Sequence, residues 1–201
     1  METSLATTRR KTGIVQRLIA RYRPARGGNL KDAIITVVVI AALIILVFQL
    51  GTFLWGLYQN SATQTEVTTM LEQSRKLKSR AGYTGASMAT LRAVNGIPAS
   101  VDRTGDVYYN RYGGTYTLAP ARTNGSTFNN SVALTLTGVS EGGCGDMAQM
   151  FLNAGESIYS VTVGGTAMLT ANVTTGTSTA ATLIGTQCDG GDKTVIITTS
   201  R

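Results

Sequence analysis

From residue 33 to residue 58 the chain runs 26 positions without a charge, and the stretch AIITVVVIAALIILVF is almost wholly aliphatic. A helix crosses a bilayer with about 20 apolar residues, so this segment is long enough to span one. A buried globular helix or strand of such length is out of proportion to a chain of 201 residues. Beyond it the pattern changes. In SATQTEVTTMLEQSRKLKSRAGY, Ala62, Val67, Met70, Leu71 and Leu77 recur among polar residues at helical spacing and not in a two-residue alternation. No proline interrupts residues 33–81, which predicts one long helix, loosened near Gly51 and Gly56 and stopped by Gly82.

A short helix is expected around residues 87–94, ahead of the Asn95-Gly96-Ile97-Pro98 turn. After Asp106 the segments 114–118, 132–138, 160–163, 168–173 and 194–198 are short, rich in Val, Thr, Ile and Tyr, and separated by Gly, Asn and Ser, which reads as an antiparallel sheet. Between two of them, Met147, Met150, Phe151 and Leu152 fall at helical intervals and predict a helix crossing the sheet. The expected fold class is therefore α+β, with a long N-terminal helix whose second half packs on an antiparallel β-sheet head. Residues 170–186, nearly all Thr, Ala, Ser and Gly, read either as a mobile excursion or as two exposed strands. Tyr108, Tyr109, Tyr112 and Tyr116, with Arg103 and Arg111 nearby, read as a strand with alternately buried tyrosines, against the rival reading of an exposed recognition set.

Charge sharpens this outline. The chain has 18 basic and 11 acidic residues, a net of +7. Seven of the basic ones (Arg9, Arg10, Lys11, Arg17, Arg21, Arg23 and Arg26) precede Gly27, where the sole acid is Glu2; the rest of the chain holds eleven basic and ten acidic residues. The basic excess is thus a property of the leader, and the nearly neutral remainder of the chain has no reason to bind nucleic acid. Basic residues before the apolar run place the N-terminus in the cytoplasm and everything after Tyr58 outside it.

Catalytic chemistry finds little support. Histidine is absent, which removes the commonest general base and metal ligand. No Ser-x-x-Lys, P-loop or dinucleotide fingerprint is present. The pairs Asp102/Asp106 and Asp189/Asp192 sit among turn-forming residues, so neither a metal nor a cofactor is expected. Cys144 and Cys188, both beyond the apolar run, are expected to form one disulfide.

At Arg26-Gly27-Gly28-Asn29-Leu30-Lys31-Asp32 a basic leader stops at glycine and a carboxylate stands at the edge of the apolar run. Here the sequence resembles a type IV prepilin, and its long leader resembles the type IVb branch. The resemblance implies that a membrane prepilin peptidase cuts after a glycine, that the new terminus is N-methylated, and that the apolar helix stays in place. Cleavage after Gly27 makes Gly28 the first residue and Asp32 the fifth, the position at which the family carries a glutamate; cleavage after Gly28 makes Asp32 the fourth. The register favours Gly27. The family also implies an assembly salt bridge between Asp32 and the terminal amine of Gly28 on a neighbouring subunit, with aspartate one methylene shorter than the expected residue. Two head cysteines enclosing a C-terminal region fit the same family. VTTMLEQSRKLKSRAGYTG, NGIPASVD, YYNRYGGTYTLAP and VALTLTGVSEGGCGDMAQ are similar to the PilS-like pilins of thin conjugative pili.

The expected organisation is a cleaved cytoplasmic leader (1–27), a transmembrane and filament-core helix (28–58), its amphipathic continuation (59–82) and a disulfide-bonded head (83–201). The expected role is a structural subunit of a thin, flexible type IVb pilus used in conjugation, mating-pair contact or adhesion. Its expected partners are further copies of itself, the prepilin peptidase, the pilus assembly machinery, the inner membrane and a recipient-cell surface. The subunit waits in the inner membrane with its head in the periplasm and ends in an extracellular filament. A minor pilin or type II secretion pseudopilin is the near alternative; a signal-anchored periplasmic binding domain or enzyme that never polymerises is the alternative of another class.

Overall fold

The computed structural model describes residues 30–170 and 180–200. The chain divides into two units, Met1–Gly51 and Thr52–Arg201. Helix α1 spans Leu30–Ser74 and includes Gly51 and Gly56 without a break. It stops earlier than expected: a single 3-10 turn at Arg75–Leu77 follows it, so residues 78–82 are not helical. The Ser74 hydroxyl bonds back to the Leu71 carbonyl at 2.6 Å, and Ser79 and Gly82 pair backbone to backbone. Gly82 is required there for another reason than helix stopping. Its φ is +76°, and a Cβ on it would stand 2.1 Å from the Asn129 carbonyl oxygen.

The second unit is built on one seven-stranded antiparallel sheet. Its strands are β1 (Asp102–Thr104), β2 (Val107–Tyr109), β3 (Thr115–Ala121), β4 (Ser131–Val139), β5 (Ile158–Val163), β6 (Thr166–Leu169) and β7 (Lys193–Thr199), in the spatial order β1-β2-β3-β4-β7-β5-β6. Strands β3 and β7 and the middle of β4 bury alternate residues, as a sheet covered on one face does, whereas β5 breaks the alternation at its register shift between Ile158 and Ser160. Tyr116 and Leu118, Val132, Leu134 and Leu136, and Val195 and Ile197 point inward, while Thr117, Thr135 and Ile196 point away. Covering the inner face are α1, through Val67, Met70 and Leu71, and α3 (Glu141–Leu152), through Met147, Ala148, Phe151 and Leu152. A short α2 (Met88–Ala93) adds Met88 and Leu91, and its N-cap Ser87 forms a reciprocal capping pair with Thr90.

Four departures from the sequence reading have local causes. The β1–β2 hairpin escaped it because strands of three residues carry no periodicity, and all three residues of β1 are exposed. Strand β6 begins at Thr166 and not at Met168: Gly164 and Gly165, both at positive φ, form a two-residue hairpin turn that fixes the register Val163↔Thr166. Strand β3 tolerates Pro120 because β2 pairs no further than Tyr108↔Tyr116, leaving that side of the strand without a ladder to complete. Finally, Ala180–Gln187 is a helix, α4, and not part of two strands; the residues 171–179 lie outside those described. Its Ile184 packs against the core and approaches α3 at Gly145, where a Cβ would stand 3.4 Å from Ile184 Cγ2.

Candidate functional site

Two features of α1 bear on function, and the first is its apolar surface. Every large apolar side chain from Ile34 to Leu50 is exposed, from 51% to 72% of its surface. Among the described residues this is the one helix long and apolar enough to cross a membrane. Soluble monomers rarely leave more than a few hundred Å² of contiguous apolar surface in water, so this surface calls for lipid or for other helices. Trp55 and Tyr58 stand one turn apart with ring centroids at 5.9 Å, an amphipathic pair of the kind that suits a membrane boundary.

The second feature lies in the other unit, where the head grips α1 through polar groups as well as apolar ones. The buried positions Thr63, Glu66, Val67, Met70, Leu71 and Ser74 follow the three-and-four spacing of one helix face. Glu66, with 2% of its surface exposed, is the centre of this face. Its Oε1 accepts from Arg111 Nε at 3.0 Å and from the Ser100 hydroxyl at 2.8 Å; its Oε2 accepts from the Tyr116 hydroxyl at 3.0 Å. Arg111 Nη2 also donates to the Ser100 carbonyl at 2.6 Å, closing the group. Burial, followed by the Glu66 charge, drives the Tyr116 hydroxyl far above its ordinary pKa, so it serves here as a fixed donor.

One turn earlier, Tyr112 donates to Asn60 Oδ1 at 2.6 Å and Asn60 Nδ2 donates to Asp146 Oδ2 at 2.7 Å, tying α1 to the 110–114 turn and to α3. Gln59 Nε2 donates to the Arg111 carbonyl at 2.9 Å. The turn owes its shape to buried Asn110, whose Oδ1 accepts from the backbone of Tyr112 and Gly114 and whose Nδ2 donates to the Thr137 carbonyl. Gly114 sits so close to that carbonyl that a Cβ would lie 1.8 Å from its oxygen, and one on Gly143 would lie 2.4 Å from the Tyr112 hydroxyl. Burial raises the Tyr112 pKa to about 12.

Of the residues singled out in the sequence, Gly27 and Gly28 lie outside those described, and Asp32 falls within α1. Cys144 and Cys188 form the disulfide, with Cα atoms 5.7 Å apart, joining α3 to the end of α4. The tyrosines do not share one strand as the sequence suggested: Tyr108, buried, and Tyr109, exposed, are on β2, Tyr112, half-buried, is in the turn that follows, and Tyr116, buried, is on β3. No group of three metal-ligating side chains occurs among the described residues. Glu66 went unnoticed because it looks like one more polar residue between apolar neighbours. The available signal was its place on the stripe defined by Val67, Met70 and Leu71.

Residues 57–200 match the family model described as PilS N terminal. No curated protein matches. Among solved structures, the crystal structure of type IV b pilin from Salmonella typhi is similar, with a TM-score of 0.51 and 17% sequence identity, over 68% of this chain and 97% of that one. That likeness is one of fold: a long N-terminal helix and an antiparallel sheet.

Proposed function

The chain belongs to the PilS N-terminal family, and from that premise we propose that it is a subunit of a type IVb pilus, polymerising through the apolar surface of α1 into a thin, flexible filament for conjugation, mating-pair contact or adhesion. The observation that carries this reading is the set of exposed large apolar side chains from Ile34 to Leu50, which a bundle of identical helices would cover. Before assembly the same surface would hold the chain in the inner membrane, with the head in the periplasm. Filaments sheared from producing cells should contain this chain as their dominant band. Cells that make the protein but yield no filaments would instead favour a membrane-anchored periplasmic domain.

Processing belongs to the same reading. A prepilin peptidase would remove residues 1–27, leaving Gly28 as a methylated amine ahead of an intact helix. Mass spectrometry of surface-derived protein checks this; a mature chain that still contains Arg26, or that begins after Tyr58, contradicts it. Asp32 would then stand near the edge of the apolar surface. A carboxylate there is costly to bury without a partner, and the neighbouring subunit's Gly28 amine supplies one. Asp32→Ala should keep protein levels and head folding but sharply reduce filaments, whereas Asp32→Glu should keep them. Wild-type piliation by Asp32→Ala would remove this residue from assembly.

A further inference from the structure

We propose that the head carries two oppositely charged poles and that the basic pole of one copy of this chain binds the acidic pole of the next. The inference rests on the pilus-subunit reading and gives it a contact between heads, separate from the apolar helix.

Where α1 gives way to the 3-10 turn, Arg75, Lys76, Lys78 and Arg80 are all exposed. Arg122 belongs to the same end of the sheet: its Nε donates to Asn129 Oδ1 at 3.3 Å, while the Asn129 carbonyl accepts the Tyr83 N–H at 2.8 Å. A recess of about 330 Å³ opens here between Arg75, Lys78, Tyr83, Ser157 and Ser200, with Glu156 as its acid. Glu72, on the last turns of α1, is the other carboxylate nearby. Among the described residues the ion pair within 4.0 Å is Arg111–Glu66, so none of the four cations at 75–80 is matched to a carboxylate.

At the other end of the sheet the sign reverses. Glu141 opens α3 directly after β4 ends at Val139, and Asp146 follows within the same helix. The disulfide brings Asp189 alongside, and Asp192 immediately precedes Lys193, which is paired with Val139. Among the described residues, four carboxylates share this end with half-buried Lys193 and with Arg111, whose charge is already met by Glu66. Asp146 is bound by neutral Asn60, which leaves its charge in place.

Distance decides what these charges can meet. Strand β4 runs from one pole to the other over nine residues, about 26 Å at roughly 3.3 Å per residue. The Debye length at physiological ionic strength is about 8 Å, so the poles of one head are screened from each other and the matching partner must come from another molecule. The partner is a second copy, because each copy presents the complement of its own basic pole. Since the two poles are different surfaces, their contact is heterologous and leaves one of each unsatisfied after every addition. Such a contact propagates as an open array where a self-complementary patch would close into a dimer.

The test uses cells producing the full chain with three sets of substitutions: Lys78→Glu with Arg80→Glu, Asp189→Lys with Asp192→Lys, and all four together. Each pair sets like charges against one another and should lower the yield of sheared filaments about tenfold at unchanged protein and disulfide levels. The fourfold exchange restores opposite poles and should return most of that yield. Pairs that assemble as wild type do, or a fourfold variant as poor as the pairs, would overturn the proposal. So would loss of binding to anionic lipid vesicles with assembly untouched, which would make the basic pole a lipid contact.

A measurement on the wild type removes any dependence on the folding of variants. Zero-length carboxyl-to-amine coupling of intact filaments should join a peptide containing Lys76 or Lys78 to one containing Glu141, Asp189 or Asp192, a link that the span of a single head forbids. Coupling that succeeds elsewhere in the filament but never between these peptides refutes the contact and leaves the pilus reading standing. Wild-type cells without filaments would sink that reading and this inference together.

Discussion

A carboxylate as deeply buried as Glu66 is tolerable only because three donors converge on it, and two of them depend on it in turn. Removing it strands the Tyr116 hydroxyl in the core and leaves the Arg111 guanidinium without its anion. Breaking a buried pair costs about 3–5 kcal/mol; Arg111 keeps 27% of its side chain exposed, which places Glu66→Ala near the lower end of that range. Glu66→Gln retains an acceptor and should cost less. Denaturant unfolding of the disulfide-bonded protein measures both, and a loss below about 1 kcal/mol for the alanine variant would mean that water replaces the lost partner. Tyr112 gives a pH dependence. In the unfolded chain it ionises near its ordinary value of about 10, but burial holds it neutral in the folded head up to about 12. Between these values the unfolded state loses a proton that the folded state keeps, so stability is intact below about pH 10 and falls as pH rises toward 12. Tyr116, shifted in the same direction by burial and by Glu66, acts with the same sign. Thermal melts across this interval should show the decline, and Tyr112→Phe should make it shallower.

At the scale of elements, glycine separates positions of opposite character. Gly82→Ala must adopt a positive φ and drive a methyl group into the Asn129 carbonyl, so it should destabilise the turn after α1 by at least about 2 kcal/mol. Gly51→Ala meets nothing within 4 Å in the middle of α1 and should be tolerated, with a gain in helix propensity of up to about 1 kcal/mol. Protease resistance of the head and helical circular dichroism distinguish the two outcomes. The same contrast separates the elements legible in the sequence from those that were not. The apolar run, the stripe of Val67, Met70 and Leu71, and the alternation of β4 and β7 are properties of neighbouring residues, and their elements were legible. Helix α3 was legible from Met147 to Leu152, but its first turns carry Gly142, Gly143 and Gly145, poor helix formers kept where Tyr112 and Ile184 press against two of them. Those requirements belong to distant parts of the chain and leave no local pattern. The Glu66 cluster was hidden for the same reason, since its partners lie 34 to 50 residues away.

For the molecule as a whole, the chain belongs to the PilS N-terminal family and shares the fold of a type IV b pilin structure. The cations at 75–80 are neighbours in the sequence, but the acidic pole has no local pattern, because Glu141 and Asp189 are brought near each other by a disulfide between residues 44 positions apart. The strand order has a further consequence, which concerns time. Strand β7 comes after β6 in the chain yet lies between β4 and β5, so it alone joins β1–β4 to β5–β6. Until residues 193–199 have been synthesised, two partial sheets with open edges are all that can form, and Val195 and Ile197 are missing from the core. Contacts such as Ser131 with Thr199, 68 residues apart, close slowly because a long loop must be ordered first. The seven-stranded sheet can therefore be completed only after residues 193–199 are available to pair with both β4 and β5. Deleting residues 193–199 should leave a protease-sensitive chain with no cooperative melt even when Cys144 and Cys188 are both present; a truncated head that still unfolds in one sharp transition would show that the remaining strands can close without it.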